Sequence, residues 1–542
     1  MTKKITFILL ITCVLSVNAQ RSEEFRESCT SIMVGRKASA DGSVMTSHTC
    51  DGRYRTWMDI EPASTYPQGS VTKIYQGALF TQTPDDMRRF MQDTTLRFRT
   101  SDYEVALKVK GEIPQAPETY AFLNTAYPCM NEKNLAIGET TTEGRPELVN
   151  ENGMFLIEEL ERIALQRCTT ARDAIVLIGK LIKQYGYADI GECITLADKN
   201  EVWHLEIFGE GKDRIGGVWA ARRIPDDHVG ISANIPRIGE LNLKDKDNYM
   251  ASDNVFEAAK RLGYWDGKEP FKFWKVYGGV EKPFSMREFF VLSSLAPSLN
   301  LSRDADELPF SVKPEKPISV ADVLKFFRAT YEGTTYDMTK NLLIKRKKAD
   351  SDEYETVRSP YASPWPTRDL TATYNYHKDS TINWVRNIAV PQCSYAHVIQ
   401  IRGYLPDEIA CVAYFANDNP GQSPRIPVYA KILRTPQSML FSGHKYYEPE
   451  AFAWRMRRAN KLASIRWQEL RSKIETPRDS LENKMFAEQH RIENEALKIF
   501  REHGDVAGRE YLTRYLEDCV KDTETIWQSI ENDLWFSFIR GL

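Results

Sequence analysis

Cys29 has more chemistry within reach than any other side chain of this 542-residue sequence, because of what stands on either side of it. Before it lies the polar run QRSEEFRES (20–28), which has nothing apolar to bury and reads as an exposed, removable spacer. After it comes CTSIMVG, an apolar run that opens a strand. Three chemistries suit a thiol placed so. It is a small buried apolar side chain, or half of a disulfide with Cys50 as the near partner, or a nucleophile released by cutting the chain between Ser28 and Cys29. A cut would set a free α-amine beside the thiol. Their reference pKa values, about 7.7–8.0 and about 8.5, let the proton pass from sulfur to nitrogen for about 1 kcal/mol or less. An internal amide nitrogen cannot take it. One residue would then be nucleophile and base together, still needing a group to orient the amine and a donor for the oxyanion.

No other string competes with this one. HExxH, G-x-S-x-G, GxxxxGK[ST] and GxGxxG are all missing, and the eight histidines include no pair at i, i+4. The nine cysteines are widely and irregularly spaced with no CxxC, so neither a zinc site nor a disulfide scaffold is written here. A formal charge of −3, from 72 basic and 75 acidic residues, argues against nucleic acid as a partner. No metal and no cofactor is expected.

The elements that must position Cys29 are legible around it. CTSIMVG and SVMTSHT flank RKASADG, whose Asp41-Gly42 predicts a hairpin turn that folds the second strand back, with the polar end SHTCD beside Cys29. KNLAIGETTT (133–142) reads as a strand. GMFLIEELERIALQRC carries one apolar helical face through Phe155, Leu156, Leu160, Ile163 and Ala164. TTARDAIVLIGKLIKQYG has Thr169 and Thr170 as cap candidates and stops at Gly186. GECITLADKNEVWHLEIFG predicts two strands about a turn at Asp198 to Asn200, and GGVWAARRIPDDHVGISANI follows. Residues from about 248 to 333 look helical with loops, Ser252 being the expected cap of SDNVFEAAKRLGYW. AHVIQIRGYL and EIACVAYFA predict a hairpin over Pro406-Asp407, and from about Glu448 onward the chain reads as long helices with solvated charged faces. Strands, helices and strands in this order predict an α+β arrangement of antiparallel sheets.

The amino terminus sets the compartment. Lys3 and Lys4, an apolar run from Ile5 to Val17 and small Ala19 make a secretory signal peptide with cleavage after Ala19. The run is shorter than the roughly 20 residues that span a bilayer, and Thr12 before Cys13 does not suit a lipobox. The expected protein is therefore exported, periplasmic or secreted, free of the membrane once the signal is removed, in a compartment that permits one or two disulfides.

Several stretches together resemble one family, the C69 dipeptidases, which are N-terminal nucleophile hydrolases similar to the penicillin acylase and bile salt hydrolase group. They are CTSIMVGRKASADGSVMTSHTCDG, NEKNLAIGETTTEGR, GECITLADKNEVWHLEIFG, ISANIPRIGELNL, SDNVFEAAKRLGYWDGKEPFKFWKVYGG and AHVIQIRGYLPDEIACVAYFANDNPGQSPRIPVY, in order from Cys29 to about Tyr429. The resemblance implies a four-layer αββα sandwich, here with a helical C-terminal extension, and metal-free hydrolysis of dipeptides or short peptides. It places the nucleophile at Cys29 and an oxyanion donor at Asn234. The family commonly has Arg and, three residues later, an acid at the end of the second strand, holding the amine and the substrate; here these positions are His48 and Asp51. His48 loses a bidentate clamp on carboxylate and makes the local charge pH dependent. Asn234 also reads as a turn support, and GETTTEGR as a hairpin edge or, through Glu139 and its threonines, as part of the substrate cleft.

The expected organisation is a signal peptide (1–19), a short propeptide (20–28) removed by autocatalytic processing, a catalytic domain (29–447) with a helical insertion at about 248–333, and a helical region (448–542). Two other functions stay open on these residues: hydrolysis of N-acyl amides of the bile salt or acyl-lactone type, and an exported binding protein whose site has decayed at position 48. Association into homo-oligomers is also left open.

Overall fold

The computed structural model describes residues 28–96, 98, 99, 104, 105, 107–444 and 446–541. The signal peptide and all of the propeptide except Ser28 lie outside these residues.

Two antiparallel sheets face each other. Their strands, in chain order, are β1 (Ser31–Val34), β2 (Val44–Asp51), β3 (Asp59–Glu61), β4 (Phe122–Asn124), β5 (Met130–Asn131), β6 (Ala136–Thr141), β7 (Glu192–Ala197), β8 (Val202–Phe208), β9 (Val218–Arg223), β10 (Val229–Ser232), β11 (Tyr249–Ala251), β12 (Ser311–Val312), β13 (Cys393–Ile401), β14 (Cys411–Asn417) and β15 (Ile426–Tyr429). The first sheet runs β12-β10-β1-β2-β13-β14-β15 and the second β11-β9-β8-β7-β6-β5-β4-β3. Because both faces of the central strands are covered, β2, β6, β7 and β8 are buried along their whole length, and the apolar and polar alternation of a half-exposed strand gives way to polar residues that must find partners inside. They do so across the sandwich. Thr46 and Thr195 hydroxyls lie 2.6 Å apart, as do those of Thr140 and Ser232. At Gly138 the sheets come so close that a Cβ would sit 2.3 Å from the Ser47 carbonyl oxygen.

Helices close both outer faces. Helices α1 (Ile157–Arg167) and α2 (Ala171–Tyr185) cover the second sheet. The first sheet is covered by α3 (Met286–Leu295) and α4 (Val320–Phe327), and by α5 (Phe452–Ile465), α6 (Trp467–His503) and α7 (Asp505–Ser537). The layers therefore run helix, sheet, sheet, helix: the order of elements leads to an α+β arrangement of antiparallel sheets, and the sandwich is what the resemblance implies. Ion pairs fasten α6 to the sheet side: buried Arg402 meets Glu493 at 2.7 Å and half-buried Arg328 meets Glu482 at 2.5 Å.

The hairpin expected at Asp41-Gly42 is present, with Gly42 at φ 81° and the Asp41 carboxylate accepting from the Ser43 amide at 3.1 Å. Thr170 caps α2 and Gly186 ends it at φ 84°. Two expectations shift. Phe155 and Leu156 lie ahead of α1, Phe155 bridging to Tyr187 instead. Ser252 is not the cap of the short helix Val255–Arg261, whose N-cap is Asn254; its hydroxyl is taken by the Trp219 amide at 3.2 Å at the edge of β9. All eight described cysteines are free thiols, so the one or two disulfides that export would permit are not formed among them, and Cys29 and Cys50 are not bonded.

Candidate active site

β1 and β2 part midway, opposite Ile32 and Ser47, and rejoin at Thr30 and Thr49 beside Cys29, where the Thr49 amide donates to the Thr30 carbonyl at 2.9 Å. The ladder registers only Val34 with Met45, plus a Thr30–Thr49 bridge. Hydroxyls fill the gap: Ser47 Oγ accepts from the Ile32 amide at 2.7 Å and donates to its carbonyl at 2.8 Å, and Thr49 Oγ1 accepts from the Thr30 amide at 2.9 Å. The Cys29 thiol is thereby held beside the Thr30–Thr49 bridge, fully buried, with Ser28 Oγ 3.3 Å from its sulfur.

Three of the four residues predicted for the site converge here directly. Asp51 Oδ2 accepts from Thr49 Oγ1 at 2.9 Å, while its carbonyl accepts from Ser28 Oγ at 3.3 Å; the buried Oδ1 takes no hydrogen bond among the described residues. Cys29 Sγ, a ring nitrogen of His48 and a carboxylate oxygen of Glu139 all lie within 4.8 Å of one another, and His48 Nε2 is 3.2 Å from Glu139 Oε2. The fourth residue, Asn234, joins through an intermediary. It sits at φ 63°, its Nδ2 donating to the Thr141 carbonyl at 2.5 Å.

The intermediary is Arg287, in the first turn of α3, and the sequence reading missed it. Its Nη2 donates to Asn234 Oδ1 at 2.8 Å and to the Ala233 carbonyl at 3.0 Å. Its Nη1 donates to the carbonyls of Ser28 and Cys29, at 2.8 and 2.6 Å, and to Thr30 Oγ1 at 3.0 Å. A second missed guanidinium, Arg386, reaches the Ser28 carbonyl at 2.7 Å and Asp51 Oδ2 at 2.8 Å through one nitrogen, Nη2. Two cations thus share the carbonyl oxygen of the Ser28–Cys29 peptide. Arg287 had one local signal. Its helix starts with the capping box Ser285 to Glu288, and a cation in that first turn works against the helix dipole, so it needs another reason to be there. Arg386 lies in a loop before β13 and had none.

The electrostatics follow from burial. Burial raises the Cys29 thiol, but hydrogen bonding with Cys50 and the neighbouring His48 outweigh it, and the Cys29 pKa falls to about 7. For His48, burial favours the neutral ring, yet contact with Cys29 and Glu139 lifts it to about 10. Glu139 is held below the usual carboxylate range: burial opposes its charge, and His48, Glu192 and Thr141 more than offset it. Glu192 goes the other way, pushed well up by burial and by the Glu139 charge, so it is the protonated partner that donates to Glu139. Cys193, His204 and Glu206 bring a second set of the same three side-chain types within 4.8 Å of one another. There Glu206 Oε1 is already engaged by His204 Nε2 at 2.9 Å and by the Arg237 and Ile238 amides, so it serves to hold the loop that begins with Asn234.

Asn234 borders a cavity of about 280 Å³ lined also by Glu143, Arg145, Glu147 and the Gly278–Gly279 backbone.

The sequence surrounding this geometry matches Peptidase family C69 over residues 28–479. The chain belongs to peptidase family C69. Among family relatives it is similar to the probable dipeptidase B of Lactococcus lactis subsp. lactis, with 28% identity over 510 residues covering 90% of each chain. It is 25% identical to the probable dipeptidase of Latilactobacillus sakei over 76% of each chain, and 26% identical to that of Salmonella dublin over 78% of this chain and 82% of the relative. As a C69 peptidase it hydrolyses peptide bonds, and the family match takes in Cys29, His48, Asp51, Asn234, Arg287 and Arg386.

Proposed function

We propose that this C69 peptidase is an exported dipeptidase whose nucleophile is Cys29, made N-terminal by removal of the residues before it. The observation that carries this reading is the hold on the Ser28–Cys29 peptide: its carbonyl oxygen accepts from Arg287 and Arg386 at 2.8 and 2.7 Å while the nucleophilic thiol belongs to the very next residue. Donors aimed at a carbonyl oxygen favour the charge that builds there when the carbon is attacked. Asp51 Oδ1, buried and without a hydrogen bond among the described residues, offers an acceptor for the α-ammonium that a cut would create. The tripartite signal at the amino terminus supports export, and among the described residues no helix is long and apolar enough to cross a membrane. The names of the relatives support dipeptides as substrates.

Turnover then runs as follows. The Cys29 α-amine takes the thiol proton, and the sulfur attacks the scissile carbonyl carbon. The oxyanion is met by the free N–H of the Asn234 amide, whose other hydrogen goes to Thr141 and whose oxygen is fixed by Arg287. The ammonium returns its proton to the leaving amine, and water releases the acyl group from sulfur. The cavity beside Asn234, with Glu143 and Arg145 on its wall, has carboxylate and guanidinium groups suited to the two charged ends of a dipeptide.

Intact mass and N-terminal sequencing of the exported protein test the reading, together with hydrolysis of a dipeptide panel set against N-acyl amino acids. A mature chain starting at Cys29, active on dipeptides and silenced by Cys29→Ala, is expected. Full activity in a chain that still begins at Gln20 overturns it.

A further inference from the structure

An uncut chain faces a difficulty of its own. The α-amine that serves as base in turnover does not exist until the Ser28–Cys29 bond is broken, so whatever breaks that bond by way of Cys29 must find its base elsewhere. The groups around the sulfur narrow the choice. Cys50 stays a thiol, pushed well up by burial and by Cys29, and so donates to the sulfur. Asp51 is ion-paired with Arg386 through Oδ2, which also accepts from Thr49, and it stands outside the group that Cys29, His48 and Glu139 form within 4.8 Å of one another; Arg287 and Arg386 are cations. Glu161 and Glu192 are held protonated by burial and by the Glu139 charge. Tyr54, Tyr127 and Tyr395 are likewise driven far above their usual range, burial first. His397, whose ring centroid is 5.5 Å from that of His48, is pushed well below the usual imidazole range by burial and by the His48 charge, which makes it a poor proton acceptor.

That leaves the imidazole of His48. Its ring is boxed edge-on by Tyr127, Tyr395 and His397, at centroid distances of 5.6, 5.8 and 5.5 Å, so it has little freedom to turn away. One nitrogen faces the Glu139 carboxylate at 3.2 Å, and the ring and carboxylate both lie beside the Cys29 sulfur. A thiol, an imidazole and a carboxylate in mutual reach form the arrangement that activates a nucleophile through a neighbouring base oriented by a third group.

We propose that His48, held by Glu139, is the base that activates Cys29 in the uncut chain, so that this peptidase forms its nucleophile before the α-amine exists. The proposal rests on the reading of Cys29 as the residue released at the Ser28–Cys29 bond. His48 takes the proton from sulfur. The sulfur bonds to the Ser28 carbonyl carbon, whose oxygen is held by Arg287 and Arg386. The Ser28–Cys29 C–N bond breaks as the imidazolium returns that proton to the Cys29 nitrogen, leaving a thioester between Ser28 and Cys29. Water hydrolyses the thioester to the Ser28 carboxylate and the free thiol, with the amine now exposed.

The thiolate and imidazolium coexist between the Cys29 value of about 7 and the His48 value of about 10. Below that window the sulfur is protonated, and above it the imidazolium has no proton for the leaving nitrogen. The test is the rate of cleavage of the full chain, made by cell-free translation and followed by intact mass across pH, for the unaltered protein, His48→Gln and Glu139→Gln. His48→Gln is expected to slow cleavage on the order of 10²-fold or more, the usual reach of a general base. Glu139→Gln is expected to bring the alkaline limb down from about 10 toward the ordinary imidazole range, because a contact that raises His48 is gone. A displaced limb in Glu139→Gln is a result that mere loss of packing does not produce, and it decides the matter if His48→Gln does not fold. Cleavage of folded His48→Gln at the unaltered rate, or an unmoved limb in Glu139→Gln, overturns the base assignment alone. An unaltered chain that never cleaves overturns both this proposal and the reading beneath it.

Discussion

Arg287 holds Asn234 by the oxygen of its amide, at 2.8 Å, while the other end of the same guanidinium reaches the Cys29 carbonyl at 2.6 Å. One planar cation therefore ties the backbone of the proposed nucleophile to the side-chain amide proposed to face the oxyanion, and it holds that amide by its oxygen.

A lysine cannot do both. Its single ammonium would serve either the Asn234 side or the Cys29 side, and the orientation of the amide would then rest on its Thr141 bond alone. Arg287→Lys is expected to lower kcat on dipeptides by about 10²–10³, the range for loss of one oxyanion donor, with KM little changed. Steady-state kinetics check this, and a kcat close to that of the unaltered enzyme would show that Asn234 is positioned by other contacts.

Asp51 makes a pH prediction. In the proposed mature form a carboxylate beside the Cys29 α-ammonium favours the charged form and raises the amine pKa, and the amine must be neutral to take the thiol proton. Asp51→Asn should therefore move the acid limb of the kcat/KM profile to lower pH by about one unit while reducing its plateau. The measurement is a pH profile on protein already starting at Cys29. An acid limb that stays in place would mean that Asp51 does not face the amine.

Much of the scaffold was legible because its signals are local. Asp41-Gly42 forms a turn that a positive φ at residue 42 requires, Thr170 and Gly186 bracket a helix, and the Cys393–Ile401 and Cys411–Asn417 strands pair as their spacing implied. The centre of the site was legible only in its short-range part. Cys29, His48 and Asp51 lie within one hairpin, but Arg287 and Arg386 arrive from 258 and 335 residues away to meet Cys29 and Asp51. Buried charges that meet by tertiary convergence leave no periodicity. Glu139 lay in a stretch open to either a structural or a cleft role; its charge acquires meaning only once His48 is 3.2 Å from it. Ser252 failed as a cap for a related reason, since the Trp219 amide of β9 claimed its hydroxyl before the helix began.

Gly138 is where the two sheets touch. A Cβ there would lie 2.3 Å from the Ser47 carbonyl oxygen and 2.7 Å from Thr195 Oγ1, and the first of these is backbone that cannot rotate aside. Gly138→Ala should destabilise the fold by about 1–3 kcal/mol, as overpacking does. It should also disturb the β2 segment that carries His48. Thermal unfolding gives the first effect and kcat the second; an alanine tolerated with both unchanged would mean the sheets separate more readily than their contacts indicate.

Glu161 gives the last prediction, and its sign is fixed by the direction of one shift. The side chain lies on α1, fully buried, with neither carboxylate oxygen hydrogen-bonded among the described residues. Burial, and then the Glu139 charge, raises its pKa well above 4.5. A carboxyl whose folded value lies above its unfolded one contributes stability that is fully present below the unfolded value and is lost as pH rises through the folded one. Glu161 should therefore cost the fold progressively more from mildly acidic toward alkaline pH. Glu161→Gln keeps the shape and removes the ionisation, so it should be near neutral at about pH 5 and stabilising on the order of 1–3 kcal/mol at about pH 8, each pKa unit being about 1.4 kcal/mol. Denaturant unfolding at the two pH values measures the difference. A variant no more stable than the unaltered protein at the higher pH would mean that Glu161 is already ionised and partnered in the fold.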